Sequence, residues 1–284
     1  MPARRASALP WILTLLVIAG TAGLWWWQTQ ERSPPAPPPG GTMQEPMPDP
    51  SPRHPIESVA VPEAEADAVA PPLDGDAGLL DALRGLVPGE AFGLLVREHL
   101  AGRFVATVDN LPNARLAPQI MPVRRVPGTL AIESEADATG DDGVRLLLAE
   151  DNAARYTPYV RAFEAADPDR LVALYVRAYP QLQQAYRELG YRDRHFNDRM
   201  VAVIDHLLEA PEVAGPIVLR DTGNGYAFAD PALEGRSVGH KALLRMGPAH
   251  TATVKARLRV LRDRLAGVRP AAVPEEAGRP DAGT

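Results

Sequence analysis

The chain has 284 residues, 30 prolines, no cysteine and a formal net charge of −6. The missing thiols exclude a disulfide framework, thiolate catalysis and cysteine-ligated metal. The charge is uneven: residues 45–81 hold nine acids against one arginine and the later chain is near neutral, so nothing forms the basic footprint of a nucleic-acid partner.

In chain order, Arg4 and Arg5 precede an uncharged run over 6–30 with WILTLLVIAGTAGLWWW at its centre. About 25 residues at about 1.5 Å each exceed a hydrocarbon core of roughly 30 Å. Trp11 at one end and Trp25, Trp26 and Trp27 at the other match the aromatic belts of a transmembrane helix. The arginines put residues 1–5 in the cytoplasm and everything after Glu31 outside it, which predicts a single-pass protein of the bacterial inner membrane with a periplasmic C-terminal domain. A cleaved signal peptide ending near Thr21-Ala22-Gly23 is the rival reading. Three tryptophans just beyond that site fit a retained anchor better. Residues 31–77, rich in proline, alanine and acids, are expected as a disordered linker. A single folded domain is expected over 78–267, followed by a disordered tail over 268–284.

Within that domain, LLDALRGL predicts a short helix and EAFGLLVREHLAGRFVATVDNL a longer one, with Phe92, Leu95, Leu100 and Phe104 on its apolar side. TLAIES and VRLLLA read as the strands of one hairpin, IVLR and YAFA around DTGNG as those of another. Asp151 is placed to cap a helix over 152–166. Asp167-Pro168 opens the next, with aspartate at the N-cap and proline in the first turn. Leu171, Tyr175, Tyr179, Leu182, Tyr186 and Leu189 recur on one face of it, and Pro180 is expected to kink or break it. A helix over 194–209 buries Phe196, Met200, Val203 and Leu207. Two more meet at Gly247-Pro248, the last burying Val254, Leu258, Leu261 and Leu265.

Three groups of residues carry candidate chemistry. Gly235-Arg236-Ser237-Val238-Gly239 matches the G-x-S-x-G nucleophile elbow, but no histidine follows Asp263, the only later acid in the folded chain, and Ser237 reads better as a helix cap. His195, Asp198, Asp205 and His206 are metal-ligand types at spacings that do not converge on one ion. Arg194 and Asp198 are instead spaced for a surface pair. Asn197, Asp198 and Arg199, with Arg245 on a facing wall, form the candidate binding groove. No catalytic, metal or cofactor set is legible.

Seven stretches carry a resemblance: FVATVDNLP (104–112), YTPYV (156–160), LYVRAYPQLQQAYRELGY (174–191), FNDR (196–199), IDHLLEAP (204–211), YAFADPALE (226–234) and LLRMGP (243–248). Together they resemble the bacterial family catalogued as domain of unknown function 3014. The resemblance implies an envelope-associated domain behind a membrane helix and a variable linker, and supplies no catalytic or ligand residues. The expected fold is mainly α, one compact helical domain with one or two short β-hairpins. The expected function is a non-enzymatic binding or scaffolding module of the cell envelope, held to the membrane by its helix and engaging another envelope protein. An envelope hydrolase with an unrecognised site is the alternative.

Overall fold

The computed structural model describes residues 51–61, 73–84, 86 and 92–268, apart from 94, 125, 127, 137–142 and 166. The expected membrane helix, residues 31–50 of the linker and the tail beyond Val268 lie outside the described residues. No helix among the described residues is long and apolar enough to cross a membrane.

Eight helices and four strands build the described domain. They are α1 (Gly75–Arg84), α2 (Leu100–Asn110), β1 (Ile132–Ala136), β2 (Val144–Leu148), α3 (Thr157–Ala165), α4 (Pro168–Glu188) and α5 (Phe196–Leu208). After them come β3 (Val218–Asp221), β4 (Tyr226–Phe228), the single turn α6 (Pro231–Glu234), α7 (Val238–Met246) and α8 (Pro248–Leu265). The mainly helical fold is as the periodicity predicts. α8 lies at the centre, against α3, α4, α5 and α7, while α2 packs on α4 and α5. Its stripe Val254, Leu258, Leu261 and Leu265 is fully buried, as are Phe196, Met200, Val203 and Leu207 of α5.

Local chemistry sets most helix boundaries. Asp167 caps α4, its Oδ1 accepting from the backbone N–H groups of Asp169 (2.8 Å) and Arg170 (3.3 Å), with Pro168 in the first turn. α4 runs without a break through Pro180, from Pro168 to Glu188. Pro180 sits on the exposed side, where water can satisfy the carbonyl it frees. Of the helix expected over 90–111, the stretch from Leu100 to Asn110 forms α2, and Leu95 to Glu98 are not helical. His99 has φ of 54°, and Asp76 accepts from the N–H groups of His99 and Leu100. Leu95 instead forms an isolated bridge with Val123. The segment that Asp151 was expected to cap is a 3-10 turn, Glu150–Arg155, followed by α3.

The two hairpins join into one antiparallel sheet in the order β1-β2-β3-β4, with Leu146 opposite Leu219 and Leu147 opposite Val218. One face, with Leu219 and Phe228, packs on Leu244 of α7 as a second small core. Helix α7 is buried at every position from Val238 to Met246, because it lies between the two cores. Gly239 is required there. A Cβ on it would lie 2.5 Å from a Leu207 methyl and 3.2 Å from the Leu111 carbonyl. Gly247, at φ 82°, turns the chain from α7 into α8.

Residues 51–61 depart from the disordered linker expected over 31–77. They pack on the domain, with Val59 buried in the main core and a 3-10 turn at Ile56–Ser58. Polar groups on α5 hold this segment, which its own sequence does not disclose.

Candidate functional site

Three of the four residues expected to line a groove meet at the start of α5, and they are engaged within the chain. Asn197 is fully buried. Its Nδ2 donates to the carbonyls of His54 (2.8 Å) and Leu265 (3.0 Å), and its Oδ1 accepts from the Tyr175 hydroxyl (3.1 Å). Burial holds that phenol well above the usual tyrosine range, so it stays a donor. Asp198 accepts from the backbone N–H groups of His54 (2.7 Å) and Arg53 (3.1 Å), rather than from its own helix terminus or Arg194. Arg199 donates to the Asp109 carboxylate (2.7 Å) and carbonyl (2.6 Å), joining α5 to the end of α2. The cluster is a clasp for residues 53–54 and a helix junction.

Around Ser237 the fold makes a contact that sequence order conceals. The Ser237 hydroxyl caps α7, accepting from the His240 N–H (3.2 Å), and also lies 2.7 Å from His206 Nε2. The rings of His206 and His240 stack with centroids 4.2 Å apart. Desolvation, first of all, holds both below the ordinary histidine value, so both favour the neutral ring. The histidine precedes the serine by 31 residues, so a search for a base after the motif misses it. The pair still lacks what acyl transfer needs. The N–H of Val238, next to the serine, donates to Asn113 (2.8 Å) and that of Gly239 to Leu111 (3.0 Å), which uses the donors an oxyanion would require. Ser237 is buried, borders neither of the clefts described below, and has φ of −59°, away from the strained region of a nucleophile elbow. The arrangement is a cap braced by a histidine.

His195, Asp198, Asp205 and His206 do not converge. Asp205 pairs with Arg262 (2.9 Å) and His206 with Ser237. No cluster of three or more metal-ligand side chains occurs among the described residues.

The fourth expected residue, Arg245, lies elsewhere, at a cleft of about 690 Å³ between the sheet and the α7–α8 turn. Leu148, Val213, Ile217, Leu244, Met246 and Pro248 form apolar walls, and Glu133, Glu150 and His250 also line it. A second cleft of about 450 Å³ shares Val213, Ile217, Leu244, Gly247 and Pro248, so the two run on from one another along the loop 211–217. Arg245 is 5% exposed, and its guanidinium lies 4.7 Å from the centre of the Phe228 ring. Burial pushes its pKa below the usual arginine value, against the opposing fields of Tyr156 and Glu234. Its carbonyl accepts from Asn152 Nδ2 (2.7 Å), which fixes the last turn of α7 to the 3-10 turn beside the sheet. His250 is tied to Thr157 Oγ1 (2.9 Å) on α3.

No curated protein and no solved structure matches the chain. Residues 100–262, more than half of the sequence, match the family described as "Protein of unknown function (DUF3014)". That span contains both hairpins, the α5 side of the clasp and the whole cleft, and the chain belongs to this family.

Proposed function

We propose that the chain is a non-enzymatic binding module of the bacterial cell envelope, carried on the membrane helix expected over 6–30, with its ligand or partner seated in the cleft between the sheet and the α7–α8 turn. The cleft is the observation that carries this reading. Its volume of about 690 Å³ lies within the range of about 300–1,000 Å³ usual for ligand sites, and its walls are apolar with a few polar groups set among them. The uncharged run with flanking arginines and tryptophans supports the anchoring. An envelope hydrolase remains the second reading because of the 2.7 Å contact between Ser237 and His206. The committed N–H groups of Val238 and Gly239 count against it.

A photo-crosslinking residue at Val213 or Ala252 in the full-length protein, irradiated in its native envelope, tests the reading. Discrete adducts are expected from these cleft positions and not from exposed Leu189, the residue just after α4. Equal adducts from both would remove the cleft as the site. Covalent labelling by a serine-directed phosphonate, lost in Ser237→Ala, would install the hydrolase instead.

A further inference from the structure

We propose that the stacked rings of His206 and His240 are a pH-sensitive joint: they hold the first turn of α7 on α5 in neutral solution and release it in acid, which moves the wall that α7 gives to the cleft. The consequence for binding rests on the reading of the cleft as the site, while the joint itself does not.

The joint ties two helices together through groups that fit as neutral rings. His240, 3% exposed, has its Nε2 2.5 Å from the His206 carbonyl, so this nitrogen carries the proton and donates. Its Nδ1 is then a bare acceptor, buried and without a hydrogen-bond partner among the described residues. The two rings lie within 8° of parallel, and His206 Nε2 reaches the same Ser237 hydroxyl that caps α7. A proton arriving at Nδ1 of His240 makes a buried cation whose new N–H has no acceptor. A second proton, on His206, meets a like charge across 4.2 Å.

The surroundings do not supply the missing compensation. Arg236 ahead of α7 and Lys255 on α8 oppose a charge on His240, and Arg199 of α5 opposes one on His206. Glu209, just past α5, favours charge on both rings but is exposed to water, which screens it. The end of α2 and the turn after it bring the carbonyls of Leu111 and Asn113, already accepting from Gly239 and Val238. Acid is therefore accommodated by parting the rings. The buried stripe of α5 holds it against α2 and α8, so the α7 turn is the side that yields. Leu244, Met246 and Gly247, which wall the cleft, lie on or next to this nine-residue helix and move with it.

The test follows amide exchange in the full-length protein in lipid nanodiscs at pH 7.5 and 5.5, each rate normalised to that of an unfolded amide at the same pH. Protection over 238–247 is expected to fall several-fold at pH 5.5, with α4 and α8 unchanged. His240→Gln keeps a donor for the His206 carbonyl and cannot take up a proton, so it should abolish the response. His206→Gln, which removes the other ring, should reduce it and supplies the answer if His240→Gln does not fold. Equal loss in α4, α7 and α8, an unchanged α7 at pH 5.5, or a full response in His240→Gln would overturn the joint. Crosslinks from Val213 are read at both pH values: fewer adducts at pH 5.5 support the link to the cleft, and an unchanged yield breaks it. No adducts at either pH would remove the cleft reading and leave the exchange result to decide the joint.

Discussion

The first turn of α5 and the last turn of α7 each place a buried polar side chain next to an aromatic ring, and the two turns use it in opposite ways. Asn197 meets Tyr175 and has its amide filled on both sides by the chain itself, through the carbonyls of His54 and Leu265. Arg245 meets the face of Phe228, and its guanidinium makes no hydrogen bond to the chain among the described residues. The lesson is that residue type does not separate two such clusters. What separates them is whether the folded chain itself completes the hydrogen bonding.

The comparison breaks most directly at Asn197. Asn197→Ala leaves the Tyr175 hydroxyl and two carbonyls without their partner, and should cost about 3 kcal/mol. A melting temperature within a degree or two of the parent would show that water replaces the amide, and the clasp would lose its structural meaning.

Gly239→Ala comes next, at about 1–3 kcal/mol, because the added methyl meets Leu207 and the Leu111 carbonyl where α7 crosses α5. Ser237→Ala, two residues away, should cost about 1 kcal/mol as a lost cap. Urea midpoints for the pair place the G-x-S-x-G stretch in packing if Gly239→Ala is the worse. The reverse order would argue that the serine does more than cap.

Much of this was legible in the sequence wherever the signal is local. Asp167-Pro168 fixes its own cap, DTGNG its own hairpin, and the leucine stripe of α8 its own burial, since each depends on residues within a few positions. Long-range pairing was not legible. The bonds from Asp198 to Arg53 and His54 span 145 and 144 residues, and those residues lie in a proline-rich stretch whose composition reads as linker. The start of α2 was misplaced because apolar residues at helical spacing continue before Leu100. There Asp76, from another segment, takes the N–H groups of His99 and Leu100 and fixes the left-handed turn. Arg245 does line a cleft, but its neighbours there are Val213, Ile217 and Pro248, brought together by the α7–α8 turn and the loop 211–217 rather than by the Asn197 helix.

Acidity sharpens the contrast between satisfied and unsatisfied groups in the second helix junction. His206 and His240 have folded pKa values below the ordinary 6.5, through burial first. The unfolded chain therefore binds more protons as pH falls through that value, and stability is full above it and lost below. The loss levels off once pH passes the folded values. Urea midpoints should fall between pH 7.5 and 5.5, with a shallower slope in His240→Gln. An unaltered slope would assign the loss to other groups.

A smaller effect is expected at Asp198. Asp198→Asn keeps one acceptor for the N–H groups of Arg53 and His54 and gives up the charge, so the cost should be about 0.5–1.5 kcal/mol and local. Amide exchange at Arg53 and His54 is the sensitive readout. Faster exchange there, with protection in α5 and α8 unchanged, fits a clasp that opens without unfolding the domain. Uniform loosening would make residues 51–61 part of the global core.

The smallest change is expected where the sequence change looks most severe. Arg245→Met removes a charge from a site only 5% exposed. Taking a partner from a buried ion pair usually costs several kcal/mol, because the other charge is left behind. Here no charge is left behind, since Glu234 already serves Lys241 and the Phe228 N–H. The variant loses the contact with the Phe228 face, about 0.5–2 kcal/mol, and regains the desolvation of five donors with a side chain of similar length. The two terms oppose each other, so the melting temperature should stay close to the parent value or rise. A fall as large as that of Asn197→Ala would mean that the chain does complete Arg245, and the distinction between the two turns would disappear.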